Sequence, residues 1–201
     1  MGKNVLRDLK GAVAATVVLT IVFGLGYPAL MTGIAQLTFH NKANGSLITV
    51  NGKVVGSKLA AQGFTSAKYF HERPSATSPA YNAAATTFGN LGPTDPALAT
   101  AVHQQIAAIL KLEGPYNPGL TVHDIPVDAV TTSGSGIDPD ISPAYAQLQS
   151  ARIAAVRKIP LATVKQLIKK YTDGRSLGLF GEPGVNVLEL NIALDKESGN
   201  N

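Results

Sequence analysis

The chain of 201 residues contains no cysteine. That excludes thiol catalysis, thiolate metal sites and any reliance on disulfides. Tryptophan is absent too, and other aromatics are few, so the places where they gather carry information. Strong charge of one sign is also missing away from the start. The chain has 17 basic and 13 acidic residues; four of the bases and one acid fall in the first 42, leaving 13 against 12 beyond. A domain so nearly neutral has no electrostatic footprint for gripping nucleic acid. Long apolar runs are lacking as well, with a single exception.

That exception is Gly11 to Phe39, an uncharged stretch flanked by Lys10 and by His40-Asn41-Lys42. About 20 apolar residues suffice to cross a bilayer as a helix. Lys3, Arg7 and Lys10 precede the run against Asp8 alone, and Lys42 weakens that asymmetry without reversing it. Basic residues beside a spanning helix stay inside. The expected topology is single-pass in the cell (inner) membrane. Residues 1–10 are then cytoplasmic, 11–39 the anchor, 43–196 an extracytoplasmic domain and 197–201 a flexible tail. A cleaved signal peptide would need only Ala12 to Phe23. Hydrophobicity resumes after Pro28, however, and no small-x-small cleavage site closes the first segment. Pro28 removes a donor and predicts a kink. Gly24, Gly26 and Gly33, with Pro28, are the candidates for packing against another helix in the membrane.

About 160 residues beyond the anchor are enough for one domain with its own core. Leu47 to Val55 reads as a β-hairpin turning at Asn51-Gly52, and Ser57 is placed to cap a short helical turn through Gln62. Residues 63–96 are rich in turn formers yet carry Phe64, Tyr69, Phe70, Tyr81 and Phe88. A helix is predicted from Thr94-Asp95-Pro96 to Gly114, with Leu98, Val102, Ile106, Ile109 and Leu110 inward. Val127 to Thr132 reads as a strand. A second helix starts at Ser142-Pro143, with Leu148, Ala151, Ala155 and Ile159 as its inner stripe. A third runs from Leu161 to Tyr171, burying Val164, Leu167, Ile168 and Tyr171. Alternation of Leu188, Leu190, Ile192 and Leu194 predicts a final strand. The tail from Lys196 is expected to fray. Mixed order makes the fold class α+β.

Catalytic and metal sites find no pattern to rest on. The four histidines, His40, His71, His103 and His123, lack metal-site spacing. Ser133-Gly134-Ser135-Gly136 matches neither the phosphate loop nor the nucleophile elbow and reads as a turn. Asp138 and Asp140 place negative charge near a helix N-terminus, and could also bind a cation weakly with nearby backbone oxygens. Asn44-Gly45-Ser46 fits a glycosylation sequon and equally a plain turn. Arg73, among aromatics, can stack and still fork to a carboxylate.

Ordered short words are more specific. Tyr69-Phe70-His71-x-Arg73-Pro74-Ser75-Ala76, Tyr81-Asn82-Ala83-Ala84-Ala85 and Asn90-Leu91-Gly92-Pro93-Thr94 come first. Val130-Thr131-x-Ser133-Gly134-Ser135-Gly136-x-Asp138-Pro139-x-Ile141-Ser142-Pro143-Ala144 and Gly181-Glu182-Pro183-x-Val185-Asn186-Val187-Leu188-x-Leu190-Asn191 follow. With Tyr27-Pro28, Gly33-x-Ala35-Gln36 and Ala43 to Leu47, the set closely resembles the KdpC family, the C subunit of the Kdp potassium-transporting P-type ATPase of bacteria. The likeness spans nearly the whole chain. It departs at Thr86-Thr87-Phe88-Gly89, where a Gly-Gly-Ser stretch is frequent, at Asp95 (often Asn), at Asp140 (often His) and at Gly184 (often basic). A mechanism needing histidine at 140 or positive charge at 184 finds neither here.

The resemblance implies a non-catalytic subunit of a high-affinity potassium-uptake complex, needed for its assembly and stability. Its partners would be the channel-like potassium-translocating subunit, the P-type ATPase subunit, a small membrane peptide subunit and lipid. Potassium is the ion carried, and the complex uses ATP and magnesium, with no cofactor assigned to this chain. A gate or filter at the ion entrance, and help with ATP binding, are further roles attached to the family. The phosphorylation motif Asp-Lys-Thr-Gly-Thr is absent, so this chain does not itself form the aspartyl-phosphate. Contact with cytoplasmic ATP would require the opposite topology. Candidate partner contacts are Tyr69, Phe70, Arg73, Tyr81, Asn82, Asn90, Ser133, Ser135, Asp138 and Asp140. Other classes are a cation-responsive regulator at Asp138 and Asp140, and an anchored hydrolase using Ser133 or Ser135.

Overall fold

A computed structural model describes residues 2–199, with side chains from residue 5 onward. It divides into two units, one ending at Leu47 and one beginning at Ile48.

The first unit is helical. α1 (Gly2–Leu19) passes through a wider π segment, Thr20–Gly26, into α2 (Tyr27–Thr38), and a short turn α3 (His40–Ala43) follows. Val5–Thr38 is long and apolar enough to cross a bilayer. Its large side chains, Val13, Val17, Phe23 and Leu30 among them, are exposed along its length. A helix closes its backbone bonds internally, so this surface can be covered by lipid or by other helices without a polar penalty. Where Pro28 suggested a kink, the helix carries a π segment just before it. Pro28 has no N–H, and its ring would collide with the Gly24 carbonyl in a regular α-turn. The chain widens just before it, where the Tyr27 amide donates to the Val22 carbonyl, five residues back. Asn44 then turns the chain, donating to the His40 carbonyl at 2.7 Å and to Gln36 Oε1 at 3.0 Å.

The second unit is an α+β domain. β1 (Leu47–Val50) and β2 (Lys53–Ser57) form the predicted hairpin, with φ of 51° at Asn51 and 75° at Gly52. That pair of positive angles suits the right-handed twist of the strands. α4 (Pro96–Glu113) starts where Asp95 accepts the Ala97 amide. α5 (Val127–Val130), β3 (Asp140–Ile141), α6 (Pro143–Arg157), α7 (Leu161–Lys170), β4 (Thr172–Asp173), β5 (Gly184–Asn186) and α8 (Val187–Glu197) complete it. The sheet is antiparallel in the order β3-β5-β4, with Ile141 and Thr172 both opposite Val185. Ser142 caps α6 as expected, accepting the Tyr145 amide. α7 buries Val164, Leu167 and Ile168 as its spacing predicts. The core joins these to Phe70, Ile109, Ile153, Val185, Leu190 and Leu194.

Five local readings are corrected. The predicted strand at 188–194 is α8. Asn186 caps it by accepting the Glu189 amide, and Val187, Leu190, Asn191 and Leu194 are all buried, the i, i+3, i+4, i+7 set of a helix. The alternating leucines share two of those positions, which disguised the period. The predicted strand at 127–132 is largely the single turn α5, which buries Ala129 and exposes Val127. Residues 57–60 make a turn rather than a helix, with the Leu59 amide on Ser57 Oγ. On α6, Ala155 is exposed, while the deepest stripe holds Gln149, Arg152 and Ile153. At the C-terminus α8 runs to Glu197, with Ser198 and Gly199 still bonded back to it, where the sequence suggested fraying from Lys196. Residues 200 and 201 lie outside the described residues.

Candidate functional site

Residues 61–82 run through the domain with no sheet partner, so their buried backbone groups need other partners. Polar side chains supply them. Asn191 accepts the Phe70 amide at 2.8 Å and donates to the Phe70 carbonyl at 3.0 Å. Gln149 treats His71 the same way, at 2.8 and 3.0 Å. Arg152 donates to the carbonyls of Ala67 and Tyr69 and to Gln149, and its Nε lies 2.8 Å from Glu113 Oε1. Both members of that ion pair are almost wholly buried. Glu72, also buried, accepts the amides of Gln62 and Phe64. Burial pushes its carboxyl above the usual range, opposed by those amides. Burial likewise raises Glu113, with Arg152 pulling the other way. His71 is held below the ordinary histidine value by burial and by the charge of Arg152.

From this fixed base the segment pins the loop 131–138. Arg73 donates to Asp138 at 3.0 Å and to the Thr132 carbonyl at 3.2 Å. Ser75 Oγ donates to the Gly136 carbonyl at 2.6 Å and accepts the Tyr81 amide at 2.9 Å. Gly136 has φ 72°, and a Cβ there would lie 2.5 Å from the Thr87 carbonyl oxygen, so no other residue fits without a shift. Gly63, at φ 67°, leaves the room that the Tyr81 ring occupies.

Arg73, Asp138 and Asp140 line a groove of about 680 Å³ together with Asp128, Asp173 and Glu182. Five carboxylates and one guanidinium line it, and two of the carboxylates have cationic partners beyond the lining, Glu182 with Arg175 at 2.8 Å and Asp173 with Lys58 at 3.6 Å. Asp128 is committed to the cap of α6, accepting the Ser142 amide at 2.7 Å and its hydroxyl at 2.9 Å. Asp138 holds Arg73 and also accepts the Asp140 amide. Asp140 accepts from Asn186, and burial raises its carboxyl. Among the described residues, no three histidine or acidic side chains are grouped to hold a metal ion.

The other candidates lie elsewhere. Tyr81 lines a second groove with Glu72, and burial raises its phenol to about 12. Asn82 closes its own turn through Thr77 Oγ1 and the Ala84 amide. Asn90 and Ser133 border a small hollow of about 240 Å³. Ser133 accepts the Gly136 amide and lies 3.3 Å from Ser135, so both hydroxyls serve the turn. Tyr69 donates to Asp195 and carries the Arg157 guanidinium over its ring at 4.9 Å. Phe70 is fully buried and has no surface to offer a partner. Gly33 has open space where a Cβ would stand, while at Gly24 a Cβ would reach Thr20 Cγ2 at 3.6 Å. The sequence reading missed Glu72, because it lies in an irregular segment with no period to mark it as buried, and Glu113, Gln149, Arg152 and Asn191, because polar residues on an inner helical stripe look like errors in the pattern. That anomaly was the signal.

Residues 9–196 match the family described as KdpC, K+-transporting ATPase, c chain. A relative from Methylococcus capsulatus, named potassium-transporting ATPase KdpC subunit, is 49% identical over 191 residues, covering 94% of this chain and 98% of the relative. One of the same name from Paraburkholderia phymatum is 53% identical over 179 residues, covering 89% and 91%. Another, from Mycobacterium bovis, is 46% identical over 190 residues, covering 94% and 98%. Because the match takes in the apolar helix, the pinned loops and the closing helix α8 alike, the chain belongs to the KdpC family.

Proposed function

We propose that this chain is the non-catalytic subunit of an ATP-driven, high-affinity potassium-uptake complex, needed for that complex to assemble and stay together. The observation carrying this reading is the near full-length identity to proteins named as potassium-transporting ATPase subunits, helix included. Residues 1–10 stay in the cytoplasm, 11–39 span the membrane and 43–196 stand outside, a direction supported by Lys3, Arg7 and Lys10. The outer domain contacts the channel-like subunit through the segments 69–96 and 131–143. Their mutual pinning by Arg73 and Ser75 supports this, since a surface already ordered loses less entropy on docking. Gly24, Gly26, Pro28 and Gly33 offer the membrane face for a neighbouring helix. ATP, magnesium and the phosphorylated intermediate belong to the ATPase subunit.

Membranes solubilised in mild detergent test it: pulling on this chain should bring down the channel-like and ATPase subunits. Recovery of the chain alone would count against the reading. Protease added to sealed protoplasts should remove the outer domain; digestion only in inside-out vesicles would reverse the topology and reopen help with ATP binding.

The carboxylate groove favours a second reading, a gate or filter at the ion entrance. With Glu182 and Asp173 paired to Arg175 and Lys58, Asp128, Asp138 and Asp140 still outnumber Arg73, and excess negative charge in a concave surface raises the local cation concentration. Asp140→Asn with Asp173→Asn should then weaken the apparent potassium affinity of the assembled complex while leaving its subunit content unchanged. Unaltered uptake kinetics would remove it.

A further inference from the structure

The apolar helix closes its backbone bonds internally, with one gap. Through Thr20–Gly26 the amides bond five residues back, and the Tyr27 amide follows them to the Val22 carbonyl. The Phe23 carbonyl would next take the amide of residue 28, which is proline and has none. Among the described residues no side chain fills the gap; the hydroxyls of Thr16 and Thr38 donate to the Ala12 and Ile34 carbonyls instead. On the following turn the Tyr27 side chain is exposed, and its hydroxyl has no hydrogen bond among the described residues either. A helical side chain leans back over the turn before it, so this phenol and the open carbonyl share one stretch of the surface. Gly24 and Gly26 add no side chain to cover it. At 1.5 Å per residue the run from Gly11 to Phe39 is about 43 Å long, and Phe23 and Tyr27 stand about 3 Å either side of its middle. With that run centred on a hydrocarbon core of about 30 Å, both groups lie far from water, where an unmet carbonyl is costly.

We propose that the Phe23 carbonyl and the Tyr27 hydroxyl form a polar docking point, met by a hydroxyl or carboxamide side chain on a membrane helix of another subunit of the transport complex. The inference rests on the reading of the chain as a membrane-anchored subunit of such a complex. The carbonyl needs a donor and the phenol an acceptor, and a hydroxyl or a carboxamide is both at once. Lipid tails carry neither. A second copy of this chain could bring its own Tyr27 to that depth. Side by side and parallel, however, the two copies would set Lys3, Arg7 and Lys10, against one Asp8, within about 10 Å of the same cluster, where like charges repel. Polar side chains at mid-depth are rare, and they gather on helices that line a path for ions. A complex that moves potassium must hold such helices beside this one.

The test uses the whole complex in its native membrane. A photoreactive phenylalanine analogue at position 27 should give an adduct with a membrane helix of one other subunit, at or beside a hydroxyl or carboxamide residue. Adducts with lipid alone, with a second copy of this chain, or with nothing would overturn the proposal. Pro28→Ala supplies the missing amide, and Tyr27→Phe removes the hydroxyl while keeping the π segment. Each should reduce retention of the other subunits about fivefold as detergent is raised, the effect of one interhelical hydrogen bond, and leave the melting temperature of the α+β domain unchanged. Full retention in both variants would also overturn it. If the unaltered chain recovers no other subunit, the reading as a complex subunit fails; if it does recover them and both variants behave identically to it, only the docking point fails.

Discussion

The apolar helix and the irregular segment 61–82 meet the same demand in opposite ways. Within Val5–Thr38 the backbone satisfies itself at all but the Phe23 carbonyl, and the side chains are turned outward. In 61–82 no ladder exists, and buried side chains from α6, α8 and Glu72 do the bonding. The first solution depends on composition alone and tolerates exchange of one apolar residue for another. The second depends on single atoms placed by distant parts of the chain, so it should be brittle.

Arg152→Ala is expected to break that second solution most severely. It leaves Glu113 buried without its charge partner and frees two carbonyls, which should lower stability by about 3–5 kcal/mol. Denaturant unfolding of the solubilised chain measures this, and a loss under 1 kcal/mol would show that the network carries little. Gly136→Ala comes next, at about 2 kcal/mol or more, from the contact with Thr87 and the left-handed angle. It should also loosen the 131–138 loop, seen as faster amide exchange there.

A pH effect sharpens the contrast further. His71 has a folded value below 6.5, so between the two values the unfolded chain binds the proton and the folded chain does not. Its contribution to stability is whole above 6.5 and is lost as pH falls through that window. His71→Gln should flatten this part of the melting-temperature profile, and an unchanged slope would assign the acid sensitivity elsewhere. Breaking the exposed Arg175–Glu182 pair by Arg175→Ala should cost no more than about 1 kcal/mol. Smallest of all, Pro28→Ala should let the π segment regularise and leave the unfolding of the α+β domain unmoved, as followed by its tyrosine signal.

Much of the architecture was legible in advance where one residue type forces one geometry. Asn51-Gly52 announced the hairpin, Asp95-Pro96 and Ser142-Pro143 opened their helices, and the spacing of Val164, Leu167 and Ile168 gave the buried face of α7. The reading of α8 as a strand failed because leucines at every second position satisfy two periods, and the Asn186 cap that decides between them was overlooked. At the candidate site the sequence selected Arg73 and Asp138 separately, and the fold joined them at 3.0 Å. It selected Phe70 as a contact, and the fold buried it.

By itself, then, the order of residues determined the apolar span, the local starts and stops and, through its ordered words, the family. Each of those depends on neighbours a few positions apart, whose geometry the backbone fixes. Only the tertiary structure decided that Arg152, Gln149 and Asn191 would serve the backbone of a segment some 80 to 120 residues earlier in the chain. Hydrogen bonds act over about 3 Å, and which distant groups come that close is settled by how the whole core packs.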